Sequence, residues 1–558
     1  MLIEDFIAKR LYEAGVRRFF GIPGGPSIPY MEAFRRAGIE FVLTMHESAA
    51  AMMADVTARI TGVPGVCHAT FGPAAVNLAS GVGGALLDRS PLIALTTEMP
   101  DSWLGRTAQM NIDHQALFRP LTKATYRLDS GNAAEVTAMA MELVNKEYPG
   151  PVHIGLPSDL AGKKAVMAGS RVGTEGVLRA AAGSATGMPG GSPVSSGRQS
   201  GSEDSDGQAG EPEIIRSRAA VLIGSSRRPV IAAGLTAMRT GAGRALLKFL
   251  EDRDVPVVVT PMAKGVIPFD HPCYAGVLFH SLSDRLDMLI READLVVGLG
   301  YDPVEYNYES WLPGVPLIHF DTRPSDIRIK GAIEIVSGPE GWFRTLAPLK
   351  GSAEMTRLAD EARRSIREGI YRESQALNPV RVLTLLREVL PAESTVTADV
   401  GSHLHLLGQM WDLQRGRLIM TNGWSSMGFG LPAVVAAALT GRGEPVACVT
   451  GDGGLMMHAG EIITARRLGL KIIVVVFSDG ELNLIKVKQS WKRFDPYGIN
   501  VCSGPLFGAD RFLGVEVVRV TDEQSFRSAA RKALQSAENT IIEAAIDPAV
   551  YNDLIVRR

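Results

Sequence analysis

Short apolar runs alternate with longer amphipathic segments over most of the chain, and this alternation predicts where strands and helices lie. In the first block the apolar runs predict strands at Arg18–Gly21, Phe41–Met45, Gly65–Thr70, Leu92–Thr97 and Val152–Leu156. The segments between them, such as Ser48–Thr61 and Val76–Asp88, have the spacing of helices. Strands that alternate with helices are typical of parallel sheets, because each parallel connection needs a long crossover. The pattern therefore predicts an α/β domain.

The same alternation occurs in two later blocks. The predicted strands there are Pro229–Ala233, Val255–Thr260, Leu295–Gly300 and Pro316–Asp321, followed by Ser394–Asp399, Pro445–Thr450, Lys471–Phe477 and Thr540–Ala545. We therefore expect an α/β chain of three doubly wound parallel-sheet domains. Their predicted bounds are residues 1–162, 213–350 and 378–558, with a linker at residues 351–377. The second domain has a Rossmann-like pattern, but its glycines form no clear GxGxxG motif.

The segment 163–212 differs in composition from the rest of the chain. It contains the run GSATGMPGGSPVSSGRQSGSEDSDGQAGEPE, which is rich in Gly, Ser and Pro and almost free of large apolar side chains. Such a segment buries too little surface to offset the entropy that is lost when it becomes ordered. It is therefore predicted to be a flexible linker, and a regulatory insertion is the alternative.

Composition narrows the class of protein. The 558 residues are 46% hydrophobic and include 59 glycines, which suits large cores and many tight turns. The formal net charge is −2 without a basic block, so neither nucleic acid nor a membrane surface is an expected partner. The four cysteines are far apart, so we expect neither a disulfide framework nor a zinc site. Because the chain begins with a charged amphipathic pattern and has no membrane-length apolar run, we expect a cytoplasmic protein.

Acidic residues follow two apolar runs in the third block. One run ends in Gly451-Asp452-Gly453-Gly454, and the next ends in Ser478-Asp479-Gly480. If these runs are neighbouring parallel strands, both carboxylates lie at strand carboxyl ends, where open α/β sheets bind ligands. Two carboxylates, with glycines that expose main-chain N–H groups, suit a small divalent cation that holds a diphosphate. Two ordinary strand–helix loops are the alternative interpretation.

The first block contains a second candidate at Glu47, which follows a strand and precedes a helix rich in small residues. Taken alone, an acidic residue at this point is better explained by the favourable electrostatics of a helix N-terminus. Three further motifs lie nearby, namely GIPGG at Gly21–Gly25, TFGPAAVN at Thr70–Asn77 and ALLDRSPL at Ala85–Leu92. Their combination with the acidic loops of the third block changes the interpretation.

Together these motifs resemble those of the thiamine diphosphate-dependent superfamily of acetolactate synthases and 2-oxo acid decarboxylases. The resemblance covers the chain apart from the Gly/Ser/Pro-rich segment, and it extends to Arg119–Lys123, Gly150–Ile154, Asp399–His403 and Met427–Pro432. It implies that the three domains are, in order, a pyrimidine-binding domain, a central Rossmann-like domain and a diphosphate-binding domain. It also implies a homodimer or a dimer of dimers, in which the active sites form at the subunit interface.

The resemblance implies roles for individual residues. Glu47 matches the catalytic glutamate, which hydrogen-bonds the cofactor pyrimidine and promotes loss of the thiazolium C2 proton. The implied Mg²⁺ ligands are Asp452, Asp479, which replaces the asparagine common at that position, and the main-chain carbonyl of Glu481. The residues implied to contact the cofactor itself, with Asp452 again among them, are Pro23, Gly24, Pro73, Asn77, Gly401, Ser402, His403, Ser425, Met427, Asp452, Gly453, Gly454 and Asn483.

The substrate side of the site is less well defined by the motifs. Gln109, Asn111, His114 and Gln115 match positions where relatives place substrate-facing side chains, and each is equally well explained as an ordinary polar loop residue. Phe71, where many synthases have a small hydroxyl residue, is expected to reshape the pocket.

The expected activity is thiamine diphosphate- and Mg²⁺-dependent decarboxylation of a 2-oxo acid, such as pyruvate, with carboligation to a second carbonyl. A decarboxylase or C–C lyase without ligation is the alternative among enzymes. From other classes, the alternatives are a non-catalytic paralogue that only binds the cofactor and a flavin- or nucleotide-binding protein that uses the central domain. FAD is not an expected cofactor.

Overall fold

The computed structural model describes residues 1–166, 211–374 and 376–555, and it contains three β-sheets, one in each domain. Two sheets are entirely parallel, and the third is parallel apart from one short edge strand. The predicted class, an α/β chain with three parallel-sheet domains, is therefore confirmed. The predicted flexible linker at residues 163–212 lies almost wholly outside the described residues.

The N-terminal domain has a six-stranded sheet in the order β2-β1-β3-β4-β6-β5. Its strands are β1 (Arg18–Gly21), β2 (Glu40–Leu43), β3 (Gly65–Ala69), β4 (Leu92–Glu98), β5 (Ala124–Arg127) and β6 (Pro151–Pro157). Its helices are α1 (Ile3–Glu13), α2 (Ile28–Arg36), α3 (Glu47–Thr61), α4 (Pro73–Leu87), α5 (His114–Phe118) and α6 (Ala133–Leu143).

The central domain has a six-stranded sheet in the order β12-β11-β10-β7-β8-β9. Its strands are β7 (Pro229–Ala233), β8 (Val257–Val259), β9 (Tyr274–Val277), β10 (Leu295–Leu299), β11 (Leu317–Asp321) and β12 (Ile333–Val336). Its helices are α7 (Glu211–Ser225), α8 (Leu235–Arg239), α9 (Gly243–Leu250), α10 (Asp287–Glu292) and α11 (Pro339–Leu346). Helix α7 begins two residues before the predicted start of this domain.

Most of the segment predicted as the second linker, residues 351–377, forms the helix α12 (Ala353–Ile370). Its buried side chains recur at helical spacing and are Met355, Ala359, Ala362, Ile366 and Ile370. These residues belong to an apolar cluster shared by the central and C-terminal domains. The connection between the two domains is therefore a packed amphipathic helix.

The C-terminal domain has a seven-stranded sheet in the order β14-β13-β15-β16-β19-β18-β17. Its strands are β13 (Thr395–Ala398), β14 (Arg417–Ile419), β15 (Val446–Gly451), β16 (Ile473–Ser478), β17 (Arg511–Phe512), β18 (Val515–Val520) and β19 (Thr540–Ala545). Its helices are α13 (Pro379–Val389), α14 (Ser402–Met410), α15 (Gly430–Thr440), α16 (Asp452–Met457), α17 (Glu461–Arg467), α18 (Asn483–Trp491), α19 (Glu523–Gln535) and α20 (Tyr551–Leu554).

Helix α3 connects the N-terminal domain to the C-terminal domain, because it packs against both α4 and α15. The alanine and methionine side chains at residues 49–54 are buried in this contact. Small residues allow the helices to approach closely, and a Cβ added to Gly81 of α4 would lie 2.6 Å from the Cβ of Ala51. This packing fixes the start of α3, where Glu47 lies.

In the described parts of the chain, no helix combines the length and the apolar character that crossing a bilayer requires.

Candidate active site

Glu47 is the first residue of α3, and it follows the carboxyl end of β2. Its side chain is 7% exposed, and its Oε2 accepts a hydrogen bond of 3.0 Å from the Asn77 amide of α4. A carboxylate at this point is stabilised by the helix N-terminus. The turn before α4 needs glycine, since Gly72 has a φ of +47°. The structure therefore brings Glu47 and Asn77 together.

Glu461, which the sequence analysis did not identify, holds the turn that precedes Glu47. Its Oε1 accepts the main-chain N–H of Met45 at 2.8 Å and that of His46 at 3.2 Å. The side chain is fully buried at the start of α17, and burial raises the pKa of its carboxyl. A residue of the C-terminal domain thus positions the candidate catalytic residue of the N-terminal domain.

His458 forms a second link between these domains. Its Nδ1 lies 2.8 Å from the carbonyl oxygen of Gly428, so this nitrogen carries the proton and donates it. Its Nε2 then accepts a hydrogen bond from the Ser48 hydroxyl, 2.7 Å away. Helix α3 is therefore coupled to the loop that contains Met427.

Asp452 and Asp479 follow the neighbouring parallel strands β15 and β16. Asp452 ties the two loops together, since its Oδ1 accepts the N–H of Gly453 and its Oδ2 that of Gly480, each at 2.7 Å. Burial raises the pKa of Asp479 to about 7, and the negative charge of Asp452 adds to this effect. Burial also raises the pKa of Asp452. Two carboxylates so placed, one buried and one half-buried, suit a divalent cation, which neutralises their mutual repulsion.

The turn after β16 contains the other predicted ligand groups. The carbonyl of Glu481 accepts the N–H of Asn483 at 2.9 Å, and the carboxylate of Glu481 pairs with Lys486 at 2.5 Å. A carbonyl oxygen has a second lone pair, so this oxygen can also coordinate a cation. Asn483 is buried, and its Oδ1 accepts a bond of 3.4 Å from the Ser402 hydroxyl. The structure therefore brings the start of α14 to the start of α18.

Two glycines and a histidine form a concave surface beside the carboxylates. A Cβ added to Gly401 would lie 2.7 Å from His403, and one added to Gly454 would lie 2.4 Å from Asp399, so neither position has room for a side chain. The buried Nε2 of His403 has no hydrogen-bond partner among the described residues. Burial lowers the pKa of His403 to about 4, so its ring is neutral. The glycine-lined surface leaves room for a diphosphate group, and the Nε2 of His403 can donate to such a group once an adjoining anion favours its protonation.

Met427 lies over the acidic loop, with its Cε 3.5 Å from the Cβ position of Gly453. The loop is held by Asp399, whose Oδ1 accepts the N–H of Gly428 at 2.8 Å. Burial raises the pKa of Asp399 to about 6. Ser425 in the same loop has a φ of +54°, a conformation that residues other than glycine rarely adopt.

A buried ionic cluster supports this loop from the N-terminal domain. Arg59 of α3 donates to Asp55 at 2.8 Å and to Asp88 at 2.9 Å, and all three side chains are almost fully buried. The other oxygen of Asp88 accepts the main-chain N–H of Gly423 at 3.0 Å. The DRSPL motif therefore helps to position the residues that precede Ser425.

The predicted cofactor contacts of the N-terminal domain lie in two adjoining turns. A Cβ added to Gly24 would lie 2.6 Å from the Thr70 hydroxyl, so the turn after β1 packs on the turn after β3. Pro23 and Pro73 are exposed, and Phe71 is half-buried. The structure places these residues at the carboxyl ends of neighbouring strands.

The four polar residues predicted to face the substrate have different environments. Gln109 is exposed, whereas the half-buried Asn111 donates to main-chain carbonyl oxygens of Trp103 and Arg106 at 2.9 and 2.8 Å. His114 is 3% exposed, and Gln115 is half-buried. The polar atoms of Asn111, His114 and Gln115 therefore form hydrogen bonds to other residues of the N-terminal domain.

Gln115 belongs to a buried hydrogen-bond network that fixes the tautomer of His153. The Nε2 of Gln115 donates to Glu98 at 2.7 Å, so its Oε1 accepts from the Thr125 hydroxyl, also at 2.7 Å. Thr125 has a single hydroxyl proton, and the Nδ1 of His153, 2.6 Å away, must therefore donate to it. The Nε2 of His153 is consequently an acceptor.

The tautomer of His114 is fixed by the Thr96 hydroxyl, which lies between the two histidine rings. The Thr96 hydroxyl donates to the Nε2 of His153 at 2.8 Å and accepts from the Nδ1 of His114 at 2.9 Å. The Nε2 of His114 then accepts the N–H of Gly72 at 3.3 Å. Burial lowers the pKa of His114 to about 4 and that of His153 well below its usual value, so both rings are neutral. His114 thus supports the turn before α4, which contains Asn77.

Glu98, His114 and His153 have ligand atoms within 4.8 Å of one another, a grouping that also suits a metal ion. Their polar atoms are already in use, because Gln115 and Arg127 bond the Glu98 carboxylate and both rings bond to neighbours. We therefore interpret the cluster as a hydrogen-bond network.

Thr96→Val should destabilise the N-terminal domain by about 1–3 kcal/mol, because it leaves two buried ring nitrogens without partners. The size of the side chain is nearly unchanged, so little of the effect comes from packing. The measurement is the shift of the urea unfolding transition, with Thr96→Ser as the matched control that keeps the hydroxyl. Equal stability of Thr96→Val and the wild type would contradict the assigned network.

The strand order of the central sheet reverses between β10 and β7, where such sheets bind dinucleotides. The loops after these strands are in direct contact, because a Cβ added to Gly234 would lie 2.4 Å from the Cα of Tyr301. Asp302 in the second loop pairs with Arg89 of the N-terminal domain at 2.6 Å. These contacts do not favour the flavin- or nucleotide-binding alternative, and the absence of FAD stays a prediction.

Models of one family match all three domains. The N-terminal TPP binding domain of the thiamine pyrophosphate enzymes matches residues 1–117, the central domain of these enzymes matches residues 216–346, and their C-terminal TPP binding domain matches residues 399–544. The chain therefore belongs to the thiamine pyrophosphate enzyme family, and the resemblance inferred from its motifs is confirmed. The domains that contain Glu47 and Asp452 are those that bind thiamine diphosphate in this family.

Individual relatives match nearly the full length. A probable acetolactate synthase large subunit of Methanocaldococcus jannaschii is 29% identical, over 98% of this chain and 92% of the relative. The acetolactate synthase isozyme 1 large subunit of Escherichia coli is 27% identical, over 97% and 93%. An acetolactate synthase of Bacillus subtilis is 26% identical, over 99% and 94%.

Proposed function

We propose that this enzyme uses thiamine diphosphate and Mg²⁺ to decarboxylate a 2-oxo acid, pyruvate or a near relative, and to join the remaining fragment to a second carbonyl. The observation that carries the proposal is the similarity, over nearly the whole chain, to proteins named acetolactate synthases. The presence of the buried Glu47 and Asp452 and the half-buried Asp479, all hydrogen-bonded, argues against a non-catalytic paralogue.

In this proposal Mg²⁺ binds the carboxylates of Asp452 and Asp479 and the carbonyl oxygen of Glu481. All three are oxygen ligands, which Mg²⁺ prefers. The raised pKa values of both aspartates support this assignment, because a bound cation removes the cost of two buried like charges. Gly453 and Gly454 would line the diphosphate, and the N–H of Gly454 and the Nε2 of His403, once protonated, would donate to its oxygens.

When bound, the cofactor supplies a carbon nucleophile for the 2-oxo acid and accepts the electron pair that decarboxylation releases. The protein contributes orientation and proton transfer. Glu47 would exchange a proton with the pyrimidine ring of a bound cofactor, and the Asn77 amide holds its carboxylate through the observed hydrogen bond. Met427 would support the bound cofactor, and the main-chain carbonyl of Ser425 would accept from its pyrimidine amine. Gln109 and Phe71 are proposed to limit the substrate pocket.

We further infer a homodimer, or a dimer of dimers, with active sites between subunits. Among the described residues, no hydrogen bond joins the Glu47 carboxylate to the acidic loops, so a second chain would complete each site. Large apolar side chains near both half-sites support this arrangement, since they are exposed in the single chain. They are Met45 (39%), Val76 (50%), Met110 (44%), Met457 (54%) and Ile485 (43%).

Pyruvate turnover by the purified enzyme with thiamine diphosphate and Mg²⁺ tests the proposal. We expect release of CO₂ and formation of acetolactate, identified by mass, and no turnover when either cofactor is omitted. The matched control is Glu47→Gln under the same conditions. If acetaldehyde forms and acetolactate does not, the enzyme is a simple decarboxylase and not a carboligase. Failure to turn over any 2-oxo acid, in protein that retains the cofactor, would overturn the proposal.

A further inference from the structure

A second cavity lies at the junction of the three domains, beside the central sheet. Its volume is about 830 Å³, which is within the range of sites for small molecules. It is lined by the end of α3, by the α8–α9 region, by the loop after β8 and by residues 411–420 of the C-terminal domain. The residues assigned above to the cofactor site do not line it.

Lys264 is a buried cation on the wall of this cavity. Its residue is 7% exposed, and its Nζ donates to the main-chain oxygen of Gln409 at 3.3 Å. The same nitrogen lies 4.9 Å from the ring centre of Phe269. No carboxylate forms an ion pair with Lys264 in the described residues, and burial lowers its pKa to about 7. The charged form of this side chain has three N–H donors, and an anion in the cavity would both accept from them and favour that form.

Two more buried donors on the cavity wall have no acceptor among the described residues. They are the Nε of Arg239 and the hydroxyl of Tyr274. Another nitrogen of Arg239 donates to the main-chain oxygen of Asp88 at 3.0 Å, which holds the guanidinium in place. Buried donors normally have partners, so donors without partners around one cavity indicate an absent acceptor.

The charged side chains on the cavity walls are mostly cationic. The cationic lining residues are Arg59, Arg239, Arg244, Lys264 and Arg417, whereas the acidic ones are Asp270 and Asp412. Arg59 is paired with aspartates and Arg417 with Glu444. In the described part of the chain neither Asp270 nor Asp412 forms an ion pair with the three remaining cations. More distant carboxylates still act on two of these cations, because the charge of Asp412 raises the pKa of Lys264 and those of Asp55, Asp88 and Glu305 raise the pKa of Arg239. Arg244 lies in the first turn of α9, whose free N–H groups also attract anions.

We propose that this cavity binds an organic phosphate, whose head group meets Lys264, Arg239 and Arg244 and whose body lies on the apolar wall. A phosphate monoester offers three terminal oxygens and close to two negative charges, which match several separate donors better than one carboxylate does. The wall supplies a surface for a carbon skeleton through Met238, Leu247, Phe269 and Leu413. The site is separate from the proposed catalytic site and does not depend on it.

Isothermal titration of the full-length enzyme, saturated with thiamine diphosphate and Mg²⁺, tests this proposal. Saturation fills the cofactor site, so phenyl phosphate and inorganic phosphate report on other sites. We expect one phenyl phosphate per chain and weaker binding of inorganic phosphate, which lacks the apolar body. Lys264→Gln and Arg239→Gln should each weaken phenyl phosphate at least about tenfold, the loss expected when a charged hydrogen bond is removed.

Lys248→Gln is the matched control, because Lys248 is exposed on α9 and does not line the cavity. Arg244→Gln provides a second variant at the exposed rim, where a substitution leaves the core intact, and it should also weaken phenyl phosphate. The proposal is overturned if phenyl phosphate does not bind. It is also overturned if binding is equal in wild type, Arg244→Gln and correctly folded Lys264→Gln, or if Lys248→Gln causes the same loss.

Discussion

Glu47→Gln is expected to slow exchange of the cofactor C2 proton by about 10²- to 10⁴-fold, the usual contribution of a positioned acid–base group. Glutamine keeps the size of the side chain and an oxygen that accepts from the Asn77 amide, so the turn before α3 should be preserved. It cannot give or take a proton, however. Exchange is measured by NMR after mixing the holoenzyme with D₂O, and turnover should fall in parallel.

Two comparisons separate this role from a structural one. Affinity for thiamine diphosphate should change little in Glu47→Gln, because the diphosphate and metal residues lie in the C-terminal domain. Glu32→Gln, on the exposed surface of α2, should exchange at the wild-type rate. Wild-type exchange in Glu47→Gln would remove this residue from the catalytic role.

Asp452→Ala is expected to reduce Mg²⁺-dependent retention of thiamine diphosphate by at least about 100-fold, at or beyond the upper end of the losses seen when groups around a metal are altered. The side chain has two functions that alanine lacks. It supplies a proposed ligand oxygen, and it joins the β15 and β16 loops through the N–H groups of Gly453 and Gly480. Retention is measured as cofactor content after gel filtration at fixed Mg²⁺.

Asp479→Asn is the matched control for this loss. Its amide oxygen can still coordinate a cation and accept the N–H of Glu481, which Asp479 accepts at 3.2 Å. It also removes one of two like charges that repel each other, since the charge of Asp452 contributes to the raised pKa of Asp479. Retention should therefore stay within about tenfold of wild type. Normal retention by Asp452→Ala would refute the metal assignment.

Most interior strands could be predicted from the sequence, with β18 as the exception in the third sheet, whereas most edge strands could not. β7 is a buried and entirely apolar run, and β19 is apolar apart from Thr540 and Glu543; the predicted and observed bounds of both strands agree. β5 and β14 lie at sheet edges and are only partly buried, so the sequence ATYR or RLI gives no such run. Edge strands are recognised by their pairing with a neighbour, which a single sequence does not contain.

The motif residues were easier to identify than the residues that hold them. Asp452 and Asp479 combine glycine, a carboxylate and a preceding apolar run, a pattern that is visible locally. Glu461 occurs in an amphipathic helix, where a glutamate usually faces solvent, and its burial depends on a turn in another domain. Asp55 and Arg59 have the spacing of an ordinary surface pair. They are buried because α3 packs on two helices at once.

The Glu461 contact has a consequence for how the protein is made. The main-chain N–H of Met45 and the carboxylate that receives it are 416 residues apart. At roughly 5–20 residues per second, a ribosome needs about 20–80 s to pass from one to the other. During that time the turn before Glu47 has emerged without its anchor. A nascent chain can therefore complete its N-terminal sheet early, yet it gains a correctly held glutamate only near the end of translation.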